Sequence, residues 1–143
     1  MPHSKISALG LDIGSKRIGV AGCDGTGLIA SGITTIARTS FVEDLAELQE
    51  IVREREVQFL VVGLPYTREG KLGFQAKKVQ NYAKRVAAAL ELPVEYVDET
   101  LTSVEAEEML KAQGISPSKN KGLIDRKAAS MILQQWLDKR REN

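Results

Sequence analysis

The chain has 143 residues, 43% of them hydrophobic and 27% charged, with a net charge of +1 at pH 7. That length suits one domain spanning residues 1–143, burying roughly two-thirds of its unfolded surface and needing no covalent staples. A single cysteine, Cys23, excludes an internal disulfide and points to a reducing compartment. With only His3 beside it, a Cys/His zinc site is excluded too, and a Ser-His nucleophile would depend on a histidine in an N-terminus expected to fray. No apolar run approaches the roughly 20 residues of a membrane span. Met1–Ser7 lacks the apolar region of a signal peptide, so a cytoplasmic protein with no membrane partner is expected. The near-neutral charge means that nucleic-acid binding would have to come from local clusters of cations.

Residues 6–12 and 17–23 are apolar-rich and flank Gly14-Ser15-Lys16-Arg17, which predicts a hairpin. Asp24-Gly25-Thr26-Gly27 is a second turn, leading to a third strand over about 28–37. The period then changes. Phe41, Leu45, Leu48 and Val52 fall at i, i+4, i+7 and i+11 and predict a helix over 41–55, with Ser40 as N-cap. "VQFLVVGLP", 57–65, is a continuous apolar strand of the kind covered on both faces. Ala76, Val79, Ala83, Val86 and Leu90 mark a helix over about 74–90. "PVEYV", 93–97, is a short strand ending at Asp98-Glu99. Thr102 and Glu105 read as a capping box for a helix to about Gln113. A Ser-, Lys- and Asn-containing loop, 114–122, precedes a last helix over about 123–138 and a charged tail, "KRREN". The order βββαβαβαα implies an α/β fold, one mixed five-stranded sheet with helices on its faces and ligands at the carboxyl ends of the strands.

Three carboxylates stand out. Asp12 ends the first strand, which otherwise reads as buried. Glu99 follows a central-looking strand. Asp125 shares an apolar helix stripe with Ala128, Ala129, Ile132 and Trp136. Each has an ordinary alternative: a turn acid, a loop acid and a first-turn dipole acid. Together they occupy the places where a mixed sheet gathers its strand ends and a helix N-terminus. Two like charges about 4 Å apart repel by roughly 4 kcal/mol at an effective dielectric of 20, so a cluster of three calls for a cation. Oxygen-only ligands favour Mg²⁺ or Mn²⁺, and two such ions suit phosphodiester displacement.

"LGLDIGSKRIGVAGCD", "FLVVGLP", "VEYVDETLTSVEAEEML" and "DRKAASMILQQWLD" resemble, in order and in spacing, the four signature segments of the YqgF/RuvX family. The resemblance spans almost the whole chain. It implies a ribonuclease H-like fold and a nuclease that processes the 5' end of precursor 16S ribosomal RNA during ribosome biogenesis, or else a Holliday junction resolvase. It assigns catalysis and metal binding to Asp12, Glu99 and Asp125. Two positions depart from the family pattern. The arginine after its Asp-Glu pair is Thr100 here, and the Leu-Asn after Gly63-Leu64-Pro65 is Tyr66-Thr67. The loss of that arginine's phosphate contact favours an alternative, a nucleic-acid-binding module that does not cleave.

Local charge supplies candidate phosphate contacts around the acids: Lys16 and Arg17 beside Asp12, Arg68 and Lys71 after the fourth strand, and Lys119, Lys121, Arg126 and Lys127 around Asp125. Tyr66 and Phe74 are either stacking groups for a base or plain core cover. The expected partner is structured RNA or branched DNA. Resolving a symmetric junction would further call for a homodimer. An ATP-binding fold of the sugar kinase type also carries an Asp-x-Gly hairpin, but needs two such domains and a longer chain.

Overall fold

The computed structural model describes residues 5–66, 71–99 and 102–142. Its elements, in order, are β1 (Ala8–Ile13), β2 (Arg17–Cys23), β3 (Ala30–Ala37), α1 (Phe41–Arg55), β4 (Phe59–Leu64), α2 (Phe74–Leu90), β5 (Val94–Asp98), α3 (Thr102–Ala112), a 3-10 turn (Pro117–Lys119) and α4 (Lys121–Glu142). They form the expected five-stranded sheet, ordered β3-β2-β1-β4-β5. The first three strands make an antiparallel meander, and β4 and β5 run parallel to β1. The carboxyl ends of β1, β4 and β5 therefore lie at one edge of the molecule.

Alternation along β1 divides two cores. Leu9, Leu11 and Ile13 face the layer of α1 and α2, where Leu48, Val79, Ala83 and Val86 close a large apolar cluster. Ala8 belongs to a smaller cluster on the opposite face, with Ala129, Ile132, Leu133 and Leu137 of α4. Gly10 and Asp12 share that α4 face. The helix lies close upon it: a methyl group at Gly10 would come 2.7 Å from Leu133 Cβ, and one at Gly19 would come 1.9 Å from the backbone oxygen of Asp125. Position 19 therefore excludes every side chain.

Two boundaries differ from expectation. First, the 114–122 loop is partly ordered by the 3-10 turn, and Asn120 Nδ2 donates to Ser116 O at 2.7 Å. α4 then starts at Lys121 and continues through Glu142, so most of the charged tail is helix. Lys139, Arg140 and Arg141 complement the dipole of its last turn. Arg141 also donates to the carbonyls of Gly27 and Leu28, tying the tail to the β2–β3 turn. Second, α3 includes Thr102 as its first residue, so Thr102 is not the cap preceding it. Ser40 caps α1 as expected, its hydroxyl accepting from Glu43 N at 3.2 Å.

Candidate active site

Asp12 occupies the penultimate position of β1, opposite Gly19 of β2 in the ladder. Its side chain faces α4 and is 9% exposed. Glu99 directly follows β5, and its backbone N–H donates to Leu64 O at 3.1 Å, which holds the chain beside the end of β4. Its side chain lies over Gly63, where an added Cβ would approach Glu99 Cβ to 2.9 Å and Oε2 to 3.0 Å. The missing side chain at Gly63 thus leaves the space through which Glu99 reaches Asp12. The two carboxyl groups are hydrogen-bonded to each other.

Asp125 comes from the opposite direction. Its backbone sits on Gly19, one strand from Asp12, and its charge is felt there, raising the Asp12 pKa. It lies beyond the first turn of α4, which contains no acid, so helix-dipole compensation does not account for it. Its carboxylate instead accepts a 2.6 Å hydrogen bond from Arg17 Nε. Among the described residues no three acidic, histidine or cysteine side chains stand close enough to form one metal-ligating group, and Asp125 is engaged by Arg17.

The electrostatics of the pair follow from burial. Removal from water raises both carboxyl pKa values. Glu99 is pushed up to about 9, first by burial, then by the charge and hydrogen bond of Asp12, and last by Asp98. Burial and the mutual repulsion of the two acids therefore favour a protonated carboxyl in the pair near neutral pH. Such a pair, oxygen-only and with a third carboxylate one strand away, has the donor chemistry of a site for a hard divalent cation.

The cationic candidates are distributed unequally. Lys16 is exposed in the β1–β2 turn, and Lys71 is exposed ahead of α2. Arg17 and Lys121 line, with Asp125, a cleft of about 580 Å³ between α3 and the start of α4. Lys119 is exposed in the 3-10 turn and Lys127 is half-buried on α4; neither lines that cleft. Arg126 lies inward over β3: an added Cβ at Gly32 would meet its Cγ at 2.4 Å, and its Nε is buried without a hydrogen-bond partner among the described residues. Arg68 and Thr100 lie outside the described residues. Lys111 of α3 lines the same cleft as Asp125 and was not anticipated; only the packing of α3 on α4 brings it there. Of the two candidate stacking groups, Tyr66 packs against the main core, whereas Phe74 is 76% exposed under Lys78 Nζ, 4.8 Å from its ring centre.

The family model of RuvX, described as Holliday junction resolvase, matches residues 6–139. The chain belongs to the RuvX family. Relatives within it that bear the name "Putative pre-16S rRNA nuclease" include those of Trichormus variabilis, 69% identical over 96% of this chain and 91% of theirs, and Crocosphaera subtropica, 67% identical over 96% of both. Among solved structures, the fold is similar to Thermus thermophilus RuvC in complex with a Holliday junction substrate, with a TM-score of 0.60 and 16% identity over 96% of this chain and 97% of that one. It is also similar to a fowlpox virus resolvase bound to Holliday junction DNA, at 0.55 and 13% over 94% and 98%. The RuvX chain thus has the fold of ribonuclease H-like nucleases. None of its described helices is long and apolar enough to cross a membrane.

Proposed function

We propose that this RuvX chain is a divalent-metal-dependent nuclease of structured RNA that trims the 5' end of precursor 16S ribosomal RNA. The observation that carries the nuclease chemistry is the buried, proton-sharing pair of Asp12 and Glu99, with Asp125 one strand away. The RNA substrate is supported by the names of relatives at 67–69% identity. Asp12, Glu99 and Asp125 would hold Mg²⁺ or Mn²⁺, two ions in the full site. A bound divalent cation supplies charge stabilisation at the scissile phosphate.

The chain's own residues have distinct parts. Asp12 is fixed by the β1 ladder and offers a carboxylate in a nearly dry setting, where its interactions with charge are strong. Glu99 holds a proton in the metal-free pair, and it would have to lose that proton to ligate a cation. Arg17 holds Asp125 through its Nε, and once released its guanidinium would offer a forked donor to a substrate phosphate. Lys121 and Lys111 line the approach on the α4 side.

Cleavage of labelled precursor RNA and of a four-way DNA junction, each with Mg²⁺, Mn²⁺ or EDTA, tests this function. Metal-dependent cleavage of the RNA at a defined 5' site is expected. Junction cleavage alone would favour resolution, the activity named in the family's description. Binding of both without turnover would leave a non-cleaving module.

A further inference from the structure

On the face of the sheet opposite Asp12, a cleft of about 420 Å³ opens between the β1–β2 turn and α2. Its floor is Ile13, Gly14 and Ser15, the residues immediately after Asp12. Arg38 fixes this floor, donating to Gly14 O at 2.6 Å while its guanidinium stacks 4.3 Å from the Tyr82 ring centre. The wall is one stripe of α2: Gln75, Lys78, Tyr82 and Arg85 recur at i, i+3, i+7 and i+10.

The charge of this wall is one-sided. α2 carries Lys77, Lys78, Lys84 and Arg85 and no acid. α1, packed on the same face, carries Glu43, Asp44, Glu47, Glu50 and Glu54. Asp44, whose partners Tyr82 and Arg38 line the cleft, is buried and already accepts from Tyr82 Oη, with Arg38 Nε 3.9 Å away. Lys78 and Arg85 are exposed, each lying over a phenylalanine ring that props its cation without neutralising it. They are two helical turns apart, about 10 Å along the axis, which suits separate phosphates.

We infer that this cleft is a phosphodiester-backbone subsite: Lys78 and Arg85, with Arg38 at the floor, grip the substrate's backbone on one side of the β1–β2 turn while the Asp12–Glu99 site acts on the other. The inference rests on the nuclease function proposed above. A nucleic acid crossing the carboxyl end of the sheet would straddle that turn, held by α2 on one flank and by Lys121 on the other. Backbone grip of this kind fixes register without reading sequence.

Fluorescence anisotropy of labelled structured RNA in EDTA tests binding apart from catalysis. The full-length double variant K78Q/R85Q is compared with K77Q/K84Q, which removes equal charge from the same helix outside the cleft. Circular dichroism melting confirms that both fold. K78Q/R85Q should bind about tenfold more weakly, and its log–log salt slope should fall by roughly 1.4–1.8 for two lost phosphate contacts, while K77Q/K84Q changes affinity by less than about threefold. Equal weakening of both variants reduces the effect to general charge and overturns the subsite, as does unchanged binding by K78Q/R85Q. If the wild-type protein binds and cleaves RNA normally in either case, only the subsite falls. If it binds no nucleic acid, the nuclease proposal falls and takes the subsite with it.

Discussion

Asp44 and Asp12 are both buried aspartates, 3% and 9% exposed, on opposite faces of the same sheet. Asp44 sits among donors: Thr39 N at 3.1 Å, Tyr82 Oη at 3.2 Å and Arg38 Nε at 3.9 Å. Asp12 is paired with another carboxyl group, Glu99, and lies within the field of a third acid, Asp125. Burial alone therefore does not distinguish the two acids. Asp44 is solvated by the protein and stabilises the junction of β3, α1 and α2. Asp12 and Glu99 stand in a setting that raises their proton affinity, a configuration that a folded chain keeps at some cost in stability.

Substitution should separate the two sites sharply. Asp12→Asn is expected to lower metal-dependent RNA cleavage by about a thousandfold or more, since several kcal/mol of charge stabilisation is lost, while RNA binding persists. Asp44→Asn should leave cleavage within about threefold once corrected for folded fraction. A comparable loss of turnover in both would erase the distinction. Stability should move the other way. Asp44→Ala orphans Tyr82 Oη and Thr39 N and should cost about 2–3 kcal/mol in denaturant unfolding. Glu99→Gln removes the cost of protonating a buried carboxyl on folding and should raise the melting temperature of the metal-free protein by a few degrees, about 1 kcal/mol. A lower melting temperature for Glu99→Gln would show that the pair is stabilising and would count against a cation site.

The pH dependence follows from the direction of the Glu99 shift. Its pKa rises from the ordinary 4.5 to about 9 in the folded protein. Between those values the native state keeps a proton that the unfolded chain releases, so metal-free stability falls as pH rises through that window. Glu99→Gln should flatten this slope. Divalent-ion binding should release close to one proton at pH 7, measured as the dependence of calorimetric heat on buffer ionisation enthalpy. The smallest effect concerns Arg17. Arg17→Gln frees Asp125 from its cation and should tighten Mn²⁺ binding a few-fold by titration calorimetry, because one competing ion pair, exposed enough to be worth about 1 kcal/mol, is gone.

Much of this was legible in the order of residues. Apolar runs between turn residues placed the five strands, and period-3.6 spacing or a capping signal placed the four α-helices, but the 3-10 turn at Pro117–Lys119 fell within an expected loop. Asp125 stood out on an apolar helix stripe, and Asp12 and Glu99 stood out at the ends of strands. What escaped were properties set by partners distant in the chain. Arg17 and Asp125 are 108 positions apart, and no local spacing couples them. Arg126 looked like a surface cation beside Asp125, yet the bare backbone at Gly32 draws its stem across β3. The tail read as loose charge because the carbonyls of Gly27 and Leu28 that receive Arg141 lie more than a hundred residues earlier. The cationic stripe of α2 was hidden by the apolar stripe that defined the helix.

The contact at Gly19 governs how far the edge that carries Asp12 and Asp125 tolerates drift. Main chain meets main chain there, with no side chain between the carbonyl of Asp125 and the second strand. Repacking elsewhere in the interior, where methyl groups slide past one another, leaves that gauge untouched. The interval separating the first and last acids is thus set by a hydrogen atom, a spacer that cannot be trimmed and can be widened only by lifting the helix.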